Sequence, residues 1–95
     1  MKTYVLRCSS SSWKRKSDDE IRFRVAKLIL SVVGDWQGVT IQSHTGVFRG
    51  VVEPGVSITI ECDWSLVETI LEALKTLPGV DKIHTEEHYP VTRYM

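Results

Sequence analysis

Residues 44–55 read HTGVFRGVVEPG and run directly into VSITIEC at 56–62. The second half of that stretch is the clearest strand in the chain. Val56, Ile58, Ile60 and Cys62 fall at every second position with Ser57, Thr59 and Glu61 between them, which puts the apolar set on one face and the polar set on the other. Upstream, Gly38 to Ser43 reads as another strand. What joins the two decides the local topology. A plain hairpin needs about two to five connecting residues, and this connection reads as longer and chemically richer. Val47 to Val52 either extends the second strand or forms a short hairpin arm, and Gly46, Gly50 and Gly55 allow the backbone to turn or approach closely.

The remaining elements follow from periodicity and capping. Thr3 to Cys8 alternates and is rich in strand formers, so a first strand is expected there. SSSSWKRK follows as a polar loop. Ser17 then opens a helix, with Glu20 completing a capping box and Asp18 and Asp19 suiting the positive end of the dipole. Ile21, Val25, Leu28, Ile29 and Val32 repeat at helical spacing, and Gly34 supplies the stop. A second capping box, Ser65 with Glu68, predicts another helix, whose stripe of Val67, Ile70, Leu71, Leu74 and Leu77 ends at Pro78-Gly79. Val80 to Thr85 reads as a last strand and EEHYPVTRYM as a tail.

The order β-α-β-β-α-β is the ferredoxin-like split pattern. It predicts an α+β fold, with a four-stranded antiparallel sheet and two helices on one face, spanning residues 1–95 as a single domain. The opposite face of the sheet would carry Val5, Arg7, Ser57, Thr59 and Glu61.

Composition narrows the function. The chain has 95 residues, 42% apolar and 25% charged, with twelve basic and twelve acidic residues that cancel. That balance argues against a protein whose main task is gripping a nucleic-acid backbone. No apolar run approaches the roughly 20 residues needed to cross a bilayer, and MKTYVLRCSSSS lacks the apolar segment of a signal peptide. A cytoplasmic protein with no nucleic-acid or membrane partner is expected. Cys8 and Cys62 each close an apolar alternation and read as reduced, buried small hydrophobes. A domain this small buries a modest core, so oligomerisation is expected.

Several side chains could carry chemistry. The serines from Ser9 to Ser12 lie where a strand ends and a helix approaches, a setting in which hydroxyls and backbone N–H groups hold anions. Alternatively they form a solvated loop. His84, Glu86 and His88 would line one face if the last strand continued, but such clusters also occur in polar tails, and no metal site is expected. No nucleophile elbow, phosphate loop, dinucleotide fingerprint or paired CxxC is present. The opening stretch remains: an aromatic (Phe48), a guanidinium (Arg49) and a carboxylate (Glu53) on one arm suit a small charged aromatic ligand, and otherwise form a decorated corner.

YVLRCSSS at 4–11, a helix carrying Arg22 and Arg24, TGVFRG at 45–50, and Glu53 before the strand ending in Cys62 together resemble the phage-encoded S-adenosylmethionine lyases, formerly called hydrolases. The similarity spans most of residues 3–85. It implies a PII-like homotrimer with S-adenosylmethionine as substrate at the subunit boundary and no cofactor, acting in a host cytoplasm. The family's essential glutamate corresponds to Glu53. Its loop tyrosine corresponds to Phe48, which lacks the hydroxyl. Arg49, Ser9, Ser10 and Gln42 complete the expected substrate-binding set. The other reading is a non-enzymatic PII-like trimeric sensor or protein-binding module using the same arm.

Overall fold

The computed structural model describes residues 2–10, 13, 16–34, 38–78, 80 and 82–88, and for Phe48, Lys82 and His88 the backbone alone. Its elements are β1 (Lys2–Ser9), α1 (Asp18–Val32), β2 (Val39–Phe48), β3 (Val51–Cys62), α2 (Trp64–Leu74) and β4 (Lys82–His88). The sheet order is β2-β3-β1-β4, with every neighbouring pair antiparallel. This is the ferredoxin-like α+β fold.

Alternation in β1 and β3 supplies the sheet's share of the core: Tyr4, Leu6 and Cys8 from one, Val56, Ile58, Ile60 and Cys62 from the other, all buried. The helices close over them with Ile21, Val25 and Ile29 from α1 and Val67, Ile70 and Leu74 from α2. Burying an apolar side chain of this size contributes roughly 1.5–3 kcal/mol each. Both cysteines are free and buried. They lie on neighbouring strands but at opposite ends of the ladder, Cys8 opposite Val56 and Cys62 opposite Lys2, too far apart for a disulfide. Burial pushes the Cys8 thiol up to about 11, so it behaves as a hydrophobe.

The start of α1 follows the expected cap: the Ser17 hydroxyl accepts from the Glu20 N–H at 3.1 Å. Its end falls at Val33, just before the expected stop at Gly34. Val33 turns extended, donates its N–H to the Ile29 carbonyl and buries its side chain. The backbone has therefore left the helix one residue before Gly34. The expected Ser65–Glu68 box is also corrected. α2 begins at Trp64 with Asp63 at the cap position, and the Glu68 carboxylate accepts from the Trp64 indole N–H at 2.5 Å. Trp64 packs its ring 5.5 Å from that of Tyr4. The polar-loop reading of SSSSWKRK misses Trp13, which is buried at 4% exposure and held by its N–H to the Ser10 carbonyl. Ser11, Ser12, Lys14 and Arg15 lie outside the described residues. β4 continues past Thr85 to His88, into the stretch expected as tail, and residues 89–95 lie outside the described set.

The largest correction concerns the stretch 44–55. It is no long connection. β2 and β3 stay in register from Val39↔Ile60 to Phe48↔Val51, leaving Arg49-Gly50 as a two-residue turn. Both turn residues have positive φ, 51° and 77°, the type I′ pattern whose twist matches the flanking strands. β1 pairs with β3 only as far as Ser9↔Gly55. Beyond that point β2 and β3 continue together as a two-stranded arm.

The turn makes a test. Left-handed backbone costs a residue with a Cβ roughly 1–2 kcal/mol. Gly50→Ala should therefore lower unfolding free energy by about 1 kcal/mol. Arg49→Asn, which favours the same conformation, should leave it unchanged or higher. Urea titration of both variants checks the pair, and equal destabilisation by both would contradict a type I′ turn.

Candidate functional site

The sheet face away from the helices is polar, and strand register sets its layout. Gln42, Ser57, Arg7 and His84 form one row, with Thr40, Thr59, Val5 and Glu86 beside it. The next row on the other side holds His44, Gly55, Ser9 and Lys82, and beyond it, on the arm, stand Gly46 and Glu53. Arg7 pairs with the Glu86 carboxylate, which also lies 3.4 Å from His84 Nε2. Val5, Arg7, Ser57 and Thr59 are half-buried and Glu61 is exposed.

Gly55 makes a recess in this face. His44 lies directly over it: a Cβ at position 55 would stand 2.7 Å from His44 Cε1 and 2.8 Å from the Cys8 carbonyl oxygen. Only a residue without a side chain lets the imidazole settle there. The ring is fixed by Ser57, whose hydroxyl hydrogen-bonds with His44 Nδ1 at 3.0 Å. Burial, and then the nearby Arg7 guanidinium, hold the His44 pKa below its ordinary 6.5. The imidazole is therefore neutral at pH 7, with one ring nitrogen a donor and the other an acceptor.

Of the residues expected to form a site, register brings three to this recess. Ser9 pairs directly with Gly55, and Glu53 lies two residues further along β3 on the same face, within the roughly 7–8 Å of a diagonal neighbour. Gln42 is two residues along β2 from His44 and exposed. Ser10 is not part of it. Its side chain is wholly buried and its carbonyl anchors the Trp13 turn. Arg49 is at the arm's tip, in the turn. Phe48 follows Glu53's side of the arm by register, but its side chain lies outside the described residues. Arg22 and Arg24 sit in surface pairs with Asp19 and Glu20, of a kind that contributes little. His84 and Glu86 do share a face, whereas the side chain of His88 lies outside the described set. Among the described residues no group of three His, Cys, Asp or Glu is placed to hold a metal, and no helix is long and apolar enough to cross a membrane.

His44 and Ser57 were missed as site residues. Each is polar in an alternating strand, which signals an outward face but not a partner. The signal that could have found them is Gly55 between two strands, a place where something else must sit.

No protein-family model matches the chain, and no curated protein does. The resemblance to S-adenosylmethionine lyases thus gains no support at the level of sequence families. Solved structures do match. The 30S ribosomal protein S6 of Thermotoga maritima superposes with a TM-score of 0.65 at 9% identity, over 92% of this chain and 87% of that one. The C-terminal domain of the MgtC protein from Mycobacterium tuberculosis gives 0.56 at 15% identity, over 94% and 89%. The Arabidopsis thaliana PII protein bound to citrate gives 0.46 at 24%, over 96% and 78%. At these identities the likeness to the first two is one of fold alone.

Two outcomes test the recess. Gly55→Ala should cost about 1–3 kcal/mol, the range for forcing extra volume into a packed site. Adding His44→Ala should recover only part of it, because the clash with the Cys8 carbonyl stays. Thermal melts of the three variants decide this, and full recovery would mean that only the ring opposes the methyl group. The second outcome follows from the sign of the His44 shift. A base with a lowered folded pKa binds fewer protons folded than unfolded, so its contribution is present above pH 6.5 and is lost as pH falls through the folded value. Melting temperature should drop more steeply below pH 6.5 in the wild type than in His44→Gln. Parallel curves would show that His44 titrates alike in both states.

Proposed function

We propose that the chain is a small-molecule-binding protein whose site is the polar sheet face around His44 and Gly55 with the arm beside it, and that its ligand is S-adenosylmethionine, cleaved in a lyase reaction. The observation that carries this reading is the grouping of Glu53, Ser9, Gln42 and neutral His44 on one polar sheet face, around the point where His44 covers Gly55. A sulfonium amino acid offers a positively charged ammonium for a carboxylate, and carboxylate and ribose oxygens for hydroxyl and amide donors.

The chemistry asks little of the protein. The substrate's carboxylate oxygen attacks its own γ-carbon while the bond from that carbon to sulfur breaks, its electron pair going to sulfur. The products are homoserine lactone and methylthioadenosine, with no proton or second reactant consumed. Holding the methionyl arm folded, and excluding water, supplies the acceleration. Glu53 would orient the α-ammonium by charge-assisted hydrogen bonds rather than remove a proton. Phe48 would lie against the adenine or the sulfonium, whose charge an aromatic face favours. Assembly as a homotrimer would place the site at a subunit boundary and give it the dry surroundings that a lone sheet face lacks. The non-enzymatic reading keeps the same site and drops the cleavage.

Incubating the purified protein with S-adenosylmethionine and resolving methylthioadenosine by chromatography tests the proposal, alongside Glu53→Gln at equal concentration. The variant should fold normally, since an arm carboxylate contributes little to the core. Turnover should fall roughly 10²–10³-fold, the usual loss of one preorganised charged contact, about 2–4 kcal/mol. Equal activity in both would remove Glu53 from the site. A wild type that binds S-adenosylmethionine without cleaving it would move the conclusion to the sensor.

A further inference from the structure

The arm has a second face. Val47 and Val52 are register partners on its helix-side surface, and they are 70% and 55% exposed. They continue the apolar face of the sheet beyond the point where the helices cover it. Elsewhere on the chain lies a matching recess. A groove of about 230 Å³ runs between the C-terminal half of α1 and the edge strand β2, lined by Ala26, Ile29, Leu30, Val33, Val39 and Ile41, with Leu30 at 68% exposure on its rim. We infer that the Val47–Val52 face of one copy's arm docks into the α1–β2 groove of a second copy.

Three observations favour a second copy as the occupant. First, knob and groove are both lined by aliphatic side chains, and Val47, Val52 and the rim residue Leu30 are exposed, so contact between them removes apolar surface from water. Second, the arm cannot fill its own groove. The two-residue turn and unbroken β2–β3 ladder hold it extended, so Val47 stands six residues beyond Ile41, roughly 20 Å at the usual rise per residue. Third, charge is compatible. The last turn of α1, beside the groove, carries no basic side chain to offset the negative end of its dipole. The arm that would arrive there bears Arg49 at its tip. A net formal charge of zero adds no general repulsion between copies.

Knob and groove are different patches, so the contact is head-to-tail and each copy both gives an arm and receives one. Such contacts close into rings when the rotation between copies permits. This inference uses the side of the arm opposite Glu53 and does not rest on the ligand reading.

Light scattering coupled to size-exclusion chromatography, without ligand, tests it. The wild type should run at a multiple of 10.8 kDa. Val47→Asp and Leu30→Lys should each run as monomers with unchanged circular dichroism, both positions being exposed. The double variant Val47→Asp/Leu30→Lys should regain the wild-type mass, because knob and rim then carry opposite charges. Should Val47→Asp fold poorly, Val52→Lys, on the same face, reports the same loss. A monomeric wild type would overturn the inference. So would a folded Val47→Asp or Val52→Lys variant that keeps the oligomer's mass.

Discussion

The pairing of β3 with two strands of unequal reach is the constraint on which the rest of the structure depends. β3 is twelve residues long and pairs with β1 from Lys2↔Cys62 to Ser9↔Gly55, and with β2 from Val39↔Ile60 to Phe48↔Val51. Gly55 is therefore the last β3 residue with a neighbour on both sides. Up to that residue the sheet is a layer of a packed domain. Past it, the same strand becomes half of an arm. Pro54 stands one step beyond the last β1 pair, where β3 has a free side, the setting in which a sheet tolerates a residue with no N–H.

The same alternation feeds two environments of opposite character. Inward, Val56, Ile58 and Ile60 lie in a core from which water is excluded. Outward, Ser57 fixes His44, and Arg7 pairs with Glu86 across β1 and β4. That ion pair is about 40% exposed on both sides and contributes little to stability by itself. Its effect on the site is electrostatic. The guanidinium two residues from Ser9 keeps a positive charge near the recess, which discourages His44 from acquiring its own. A neutral imidazole is a polar wall that can donate and accept, where an imidazolium would repel a cationic ligand.

Much of the fold was legible because its elements announce themselves locally. Period-two alternation marks β1 and the second half of β3, and Ser17 with its acidic first turn marks α1. The misreadings came where local signals and tertiary ones disagree. Gly46, Gly50, Pro54 and Gly55 together look like loop chemistry, yet only Gly50 serves the turn, and the others stand within an unbroken ladder. Trp13 has no periodic partner in its polar surroundings, so nothing in the local pattern shows that the core takes it. Ser65 and Glu68 have capping spacing, but the helix starts at Trp64, and the Glu68 carboxylate accepts from the Trp64 indole instead. The site was legible in part for the same reason. Gln42 was readable as a polar residue at a strand position, whereas Ser9 was read in a loop and Glu53 on a connecting arm, and both stand in strands. The recess itself exists only through cross-strand register, which brings His44 over Gly55 from eleven positions away in sequence. Ser10, one residue past the strand, looked equivalent to Ser9 and falls on the buried side.

An arm with valines on one surface and a glutamate on the other joins two equilibria. If its helix-side face is seated against a second copy, the surface bearing Glu53 is held in a fixed relation to that copy, and a ligand beside His44 meets a site already ordered. Contacts already held in their bound arrangement leave a ligand less to order, and affinity rises accordingly. Assembly and ligand binding would then be linked, each strengthening the other by the same factor. The reach of β3 past β1 is what makes the linkage available. A hairpin that stopped level with Ser9, at the His44↔Gly55 pair, would carry neither the Val47–Val52 surface nor Glu53, and would have nothing to link.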